Sequence, residues 1–284
     1  MLQLRNSNLI LAFLFLVLTA CSGLAQEPKE PFQAAWEQAN LALRRNDFEA
    51  AVKLYSQAIS LFPKTDSFTP KNKTLKLADG RKIETPYYGL ESLYFGRAQT
   101  YLHKREPEQA ENDFASSLMV LKVEMVKRID KAKTQRSNVN LKKEKESPYN
   151  SMDNSDLAKT AFSYSGALQT SDKASYFNGK RRRYYQELNI PLSPDKQDIG
   201  VFNEIVKLRE DAFFGTAEAY TTLMLEVGNK NYAFLALKWL NEFIAAFPNN
   251  VKAYELREKV HAQIGNKEYA LADEKKINEL TPQK

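Results

Sequence analysis

Residues 34–63 read AAWEQANLALRRNDFEAAVKLYSQAISLFP, and the spacing of their apolar positions decides the fold. Ala35, Ala39 and Ala42 share one face of a first helix, at intervals of four and three. Asn46-Asp47 breaks that helix, and Asn46 with Glu49 three residues later predicts the cap of a second one. The second helix sets Phe48, Ala51, Tyr55 and Ala58 on one stripe and stops at Pro63, which cannot continue a helix. Small residues recur on both stripes because two helix backbones approach to about 8 Å only where no large side chain intervenes. The stretch is an α-hairpin.

Upstream, Arg5 precedes an uncharged apolar run over residues 9–18, too short to cross a bilayer as a helix but suited to a signal peptide. The run ends in Leu18-Thr19-Ala20-Cys21, which resembles the lipobox of bacterial lipoproteins, and Cys21 is the one cysteine of the chain. The resemblance implies that residues 1–20 are removed and that Cys21 is lipidated, with residues 21–31, including Pro28 and Pro31, as a tether. Cleavage after Ala25, at the small-x-small site Gly23-Leu24-Ala25, would instead give a secreted or periplasmic protein.

Downstream, residues 64–89 are polar and carry Pro70, Asp79-Gly80 and Pro86. Within them Thr74-Leu75-Lys76-Leu77 and Arg81-Lys82-Ile83-Glu84 flank a turn, so a small β-hairpin insertion is expected, either a decorated loop or an arm that helps grip a partner. A second α-hairpin follows from Leu90, with Tyr94, Ala98 and Tyr101 on its first helix, Glu106-Pro107 starting the second, and Ala110, Phe114 and Ser117 at packing positions. Its stripe runs on through Leu118, Leu121, Met125, Ile129 and Ala132, so the helix outlasts an ordinary repeat. Residues 122–146 hold nine Lys or Arg against four Asp or Glu, most of the net charge of +6. Residues 134–155 lose apolar periodicity and read as a mobile loop. Residues 156–189 suggest two helices interrupted at Asn178-Gly179. Ser193-Pro194 then starts a long helix that buries Ile199, Phe202, Ile205, Val206, Phe213, Ala217 and Tyr220.

The end of the chain repeats itself. Gly228-Asn229-Lys230-Asn231-Tyr232-Ala233 returns as Gly265-Asn266-Lys267-Glu268-Tyr269-Ala270, and Pro248 and Pro282 are 34 residues apart. The final helix, with Asp273, Glu274, Lys275 and Lys276, is polar, as the end of a stack requires. Ala39, Phe48, Ala51, Ala58 and Pro63 resemble the tetratricopeptide repeat (TPR) signature in order and spacing. The expected fold is all-α: TPR-like helical hairpins forming a short solenoid, with a basic helical insert and the small β-hairpin. Its parts are an N-terminal TPR pair over residues 32–121, a basic, partly disordered helical insert over 122–198, and a long helix with a C-terminal TPR pair over 199–284.

Catalytic signals are poor. His103 and His261 both sit in helices that need packing residues, and no His-x-x-x-His, Cys-x-x-Cys, phosphate-binding glycine loop or nucleophile elbow occurs. Asp153, Asn154 and Asp156 lack the rest of a calcium loop. No enzyme activity, metal or cofactor is expected. The TPR resemblance implies a concave groove built from first helices, with Trp36, Asn40 and Arg44 from one repeat and Phe95, Gln99 and His103 from the next. Chaperone-type TPRs clamp a C-terminal carboxylate, but only Asn40 and Lys252 match that set, while Trp36, Gly96 and Leu256 depart from it. The first expectation is therefore a non-catalytic, lipid-anchored envelope adaptor or scaffold at the outer membrane that holds a protein partner, as in outer-membrane, secretion or pilus assembly. The alternative is a binder of anionic cell-wall polymer or lipid through the basic insert, with Arg181, Arg182 and Arg183 beside Tyr184 as its sharpest feature, weighed against a plain solvated helix face. An exported protein meets little nucleic acid, so that partner is not expected. An enzyme whose carboxylate site is unrecognised ranks third.

Overall fold

The computed structural model describes residues 30–63, 74–76, 82–84, 89–139, 156–192, 200–228 and 230–281. These residues form nine α-helices, and the chain divides into two compact units, Met1–Pro63 and Lys64–Lys284.

The first unit pairs α1 (Pro31–Arg44) with α2 (Phe48–Leu61). Ala35, Ala39 and Ala42 pack against Ala51, Tyr55 and Ala58, and the Tyr55 hydroxyl donates across the hairpin to Asn40 Oδ1 at 2.7 Å. The cap falls one residue later than expected. Asn46 takes φ 59°, the left-handed region that Asn tolerates, and Asp47 caps α2 by accepting from the Ala50 N–H at 3.1 Å.

The same turn recurs in the second unit. It joins α3 (Leu90–His103) to α4 (Pro107–Ser137) through Arg105 at φ 61°, and α8 (Val251–Ile264) to α9 (Lys267–Leu280) through Gly265 at φ 86°. In all three hairpins the residue after the left-handed one donates its N–H to the carbonyl five residues back: Asp47 to Ala42 at 3.0 Å, Glu106 to Tyr101 at 2.9 Å, Asn266 to His261 at 2.8 Å. That bond satisfies a carbonyl the ending helix would leave unpaired and reverses the chain.

Between these hairpins run α5 (Asp156–Glu187), α6 (Gly200–Leu225) and α7 (Ala233–Ala246), the last preceded by the 3₁₀ turn Lys230–Tyr232. Each helix from α3 to α9 packs on its successor, and α6 also touches α4 and α8. One apolar cluster threads through them, from Leu118, Leu121, Met125 and Ile129 of α4 to Leu240, Phe243 and Val260 farther on. The stripe expected to outlast the repeat is therefore the face of α4 that meets α5, and residue 122, the expected boundary of a separate insert, lies inside α4. Two three-residue strands, Thr74–Lys76 and Lys82–Glu84, pair antiparallel with Leu75 opposite Ile83.

Residues 156–187 are one helix, not two. The position of Gly179 is open around its missing Cβ and Asn178 is buried, so the chain accepts about 1 kcal/mol of glycine cost in exchange for packing α5 on both α4 and α6. On α6, Ile205, Phe213 and Ala217 are buried, Phe202 and Tyr220 half-buried, and Val206, against expectation, is exposed. Ser193, Pro194 and Ile199 lie outside the described residues.

A Cβ at Gly215 of α6 would stand 2.6 Å from the Tyr164 ring of α5. Gly215→Ala should therefore destabilise the protein by about 1–3 kcal/mol, despite alanine's better helix propensity. A urea midpoint at or above the wild-type value would contradict this packing.

Candidate functional site

Two hairpins of the second unit carry the same ion pair. Arg97 of α3 donates from Nε and Nη2 to Asp113 of α4 at 2.7 and 2.8 Å, and Arg257 of α8 donates from the same atoms to Asp273 of α9 at 2.9 and 2.6 Å. Each guanidinium also lies over a tyrosine one turn earlier, Tyr94 at 5.7 Å and Tyr254 at 5.4 Å from the ring centroid. Tyr94 and Tyr254, Arg97 and Arg257, and Asp113 and Asp273 are all separated by 160 residues. The hydrogen bond to Asp113 holds the Arg97 guanidinium even more firmly protonated than usual. Asp273 corrects an expectation: it is 3% exposed rather than part of a solvated end face. The signal that would have found both pairs is Tyr-x-x-Arg, followed sixteen residues after the Arg by Asp, with Ala110 or Ala270 three residues before that Asp.

Around the second pair the chain forms a cleft of about 560 Å³, lined by Asn241 of α7, Arg257 and His261 of α8, and Asn266, Tyr269 and Asp273 of α9. Arg257 Nη1 donates to Asn241 Oδ1 at 2.7 Å, which ties α7 into the same network. His261, 8% exposed, stacks on Tyr269 with centroids 5.2 Å apart and finds no hydrogen-bond partner for Nδ1.

Burial, with help from Arg257 and against Asp273, pushes the His261 imidazole below its usual 6.5, and burial does the same to His103. Between the folded value and 6.5 the unfolded chain binds more protons, so these histidines favour folding above 6.5 and lose that contribution as pH falls. His261→Tyr, which copies Tyr101 at the matching place in the other hairpin, should flatten part of the fall in the urea midpoint as pH drops below 6.5. An unchanged slope would mean that His261 is not held neutral.

The expected groove residues are distributed as follows. On α1, Trp36 is half-buried against its own hairpin, Asn40 accepts from Tyr55, and Arg44 is exposed. On α3, Gln99 and His103 are half-buried. Phe95, also half-buried, stacks on Phe177 of α5 at 4.2 Å and meets Phe114 edge-on at 5.5 Å. The aromatic at that position closes the junction of α3 with α4 and α5.

Within the basic segment, Arg181 departs from the expectation. Arg181 is 1% exposed and bonds the Glu111 carboxylate from Nε at 2.9 Å and from Nη2 at 2.7 Å, with its guanidinium 5.7 Å from the Tyr185 ring centroid. Burial and Glu111 together push the Tyr185 phenol up. Arg182 and Arg183 are on the exposed side of α5. Lys122 pairs with Glu204 and Arg136 with Glu218, both on α6, while Arg128 bonds Glu124 at 2.7 Å. Lys122, Arg128, Arg136 and Arg181, four of the basic residues that read as a free face, are thus paired with carboxylates.

Cys21 and the segment before it lie outside the described residues. Among the described residues no cluster of three or more His, Cys, Asp or Glu could hold a metal, and no helix is long and apolar enough to cross a membrane. No protein-family model and no curated protein matches the chain.

Proposed function

We propose that the protein is a non-catalytic TPR-type adaptor, held at the bacterial cell envelope by lipid on Cys21, that binds a protein partner on the outward faces of its first helices. The observation that carries this reading is the repetition of one hairpin: the same left-handed turn three times, and the same Tyr-Arg-Asp arrangement twice, 160 residues apart. Helical hairpins stacked in series bury a continuous core and leave one face of each first helix for a ligand. Of the expected groove residues, Arg44 on α1 is exposed, and Trp36, Asn40, Phe95, Gln99 and His103 are half-buried. On this reading the β-hairpin insertion is an arm that helps grip the partner. Polyanion binding is the weaker reading, because Arg181, Lys122, Arg128 and Arg136 already have carboxylate partners.

The test is affinity capture from native envelope membranes, comparing wild type with Cys21→Ala, Arg44→Ala and Gln99→Ala. One protein should co-purify with wild type and be depleted with the Arg44 and Gln99 variants, while Cys21→Ala should release the complex from membranes. Capture that ignores both face variants and collapses at high salt would overturn the adaptor in favour of polyanion binding.

A further inference from the structure

The cleft between α7, α8 and α9 lies on the flank of α8 turned away from the exposed row Glu255, Lys259 and Gln263, so it is separate from the face that a partner protein would use. We propose that this cleft binds a neutral glycan, with Tyr269 as the stacking wall and Asn241, Arg257 and Asn266 as the hydrogen-bonding floor.

Charge narrows the ligand first. Arg257 and Asp273 neutralise each other through two hydrogen bonds, and the remaining lining residues are uncharged once His261 is neutral. An anion would meet Asp273 and a cation would meet Arg257, so the lining favours a ligand without net charge.

Hydrogen-bonding capacity narrows it further. Of the five N–H groups of Arg257, two are engaged by Asp273 and one by Asn241, which leaves two. Asn241 accepts through Oδ1 and keeps its amide N–H groups. Asn266 stands at the N-cap of α9, yet its side chain makes no cap bond, so both its donor and its acceptor remain available in the lining. Donors and acceptors alternating along a rim suit hydroxyl groups, each of which both donates and accepts.

Shape supplies the third constraint. One face of the Tyr269 ring rests on His261, and the residue is still 64% exposed, which leaves ring surface for a ligand. A pyranose has a C–H face that packs on an aromatic ring and an equatorial rim of hydroxyls, and the cleft volume of about 560 Å³ accommodates a short oligosaccharide. A nucleotide would bring phosphates to a lining that holds Asp273. An extended peptide would need a row of backbone partners that these side chains do not form.

The experiment is an amide and aromatic NMR titration of the full mature chain with chitotriose and with maltotriose, using adenosine and a neutral capped tripeptide as comparators. At least one sugar should give saturable shifts confined to the segments around Asn241, Arg257 and residues 266–273. Tyr269→Ala, at an exposed site that the fold does not require, should weaken that binding roughly tenfold, and Asn266→Ala should weaken it too. The Gln99→Ala variant should bind sugar like wild type, so failure here and failure of the adaptor reading are distinguishable. The proposal is overturned if neither sugar shifts the cleft, if adenosine or the tripeptide binds as well as the better sugar, or if Tyr269→Ala binds it undiminished.

Discussion

Glu111→Ala should destabilise the protein by about 3–5 kcal/mol, the cost of leaving the Arg181 guanidinium buried without its counter-charge. Arg181 is 1% exposed, and its two short bonds to Glu111 join α5 to α4 over a sequence distance of 70 residues. Arg181→Ala should cost less, because Glu111 keeps some solvent contact when its partner is removed. Arg182→Ala and Arg183→Ala, at exposed neighbours, should each stay within about 0.5 kcal/mol of wild type. Chemical denaturation of the four variants checks the ranking. Equal, small effects at all three arginines would mean that the triplet is a solvated charged face after all.

Ala110→Arg should be worse still, at about 4 kcal/mol or more. Ala110 has no exposed surface and sits with Ala98, Leu102, Phe114 and Tyr185 where α3 and α4 meet. An arginine there must desolvate its charge with no carboxylate provided for it, and must also push the two helices apart. Ala51→Arg makes the same demand on the α1–α2 hairpin, while Glu108→Arg, two residues before Ala110 and on the exposed side of α4, should cost about 1 kcal/mol or less, the loss of an acidic charge from the first turn. Ala110→Arg protein that melts with wild type would refute the pairing of α3 with α4.

These contrasts also explain which parts of the molecule were legible in the sequence. The α1–α2 hairpin was, because Ala35, Ala39, Ala51 and Ala58 form one-sided stripes whose only use is close helix contact. The single course of α5 was not, since it is packed by α4 and α6 on two sides and buries Thr160, Ser163, Gly166, Thr170 and Ser171 alongside its apolar residues. A helix buried on several faces with small polar side chains shows no amphipathic period. Charge was legible as composition but not as partnership. Neither the engagement of Arg181 by Glu111 nor that of Asp273 by Arg257 can be read from a local run, because each depends on which helices become neighbours. The stack of Phe95 on Phe177 is hidden from the sequence for a related reason, since it depends on where α5 runs.

The most direct measurement on the adaptor reading is in-cell photo-crosslinking of the full-length protein, with the photoreactive residue placed in turn at Arg44, Gln99 and, as a control, the exposed Phe162 of α5. If the first helices carry the partner, Arg44 and Gln99 positions should yield one shared protein adduct in the envelope fraction, and Phe162 should not. Adducts confined to lipid or glycan, or the same proteins from all three positions, would contradict a dedicated protein-binding face.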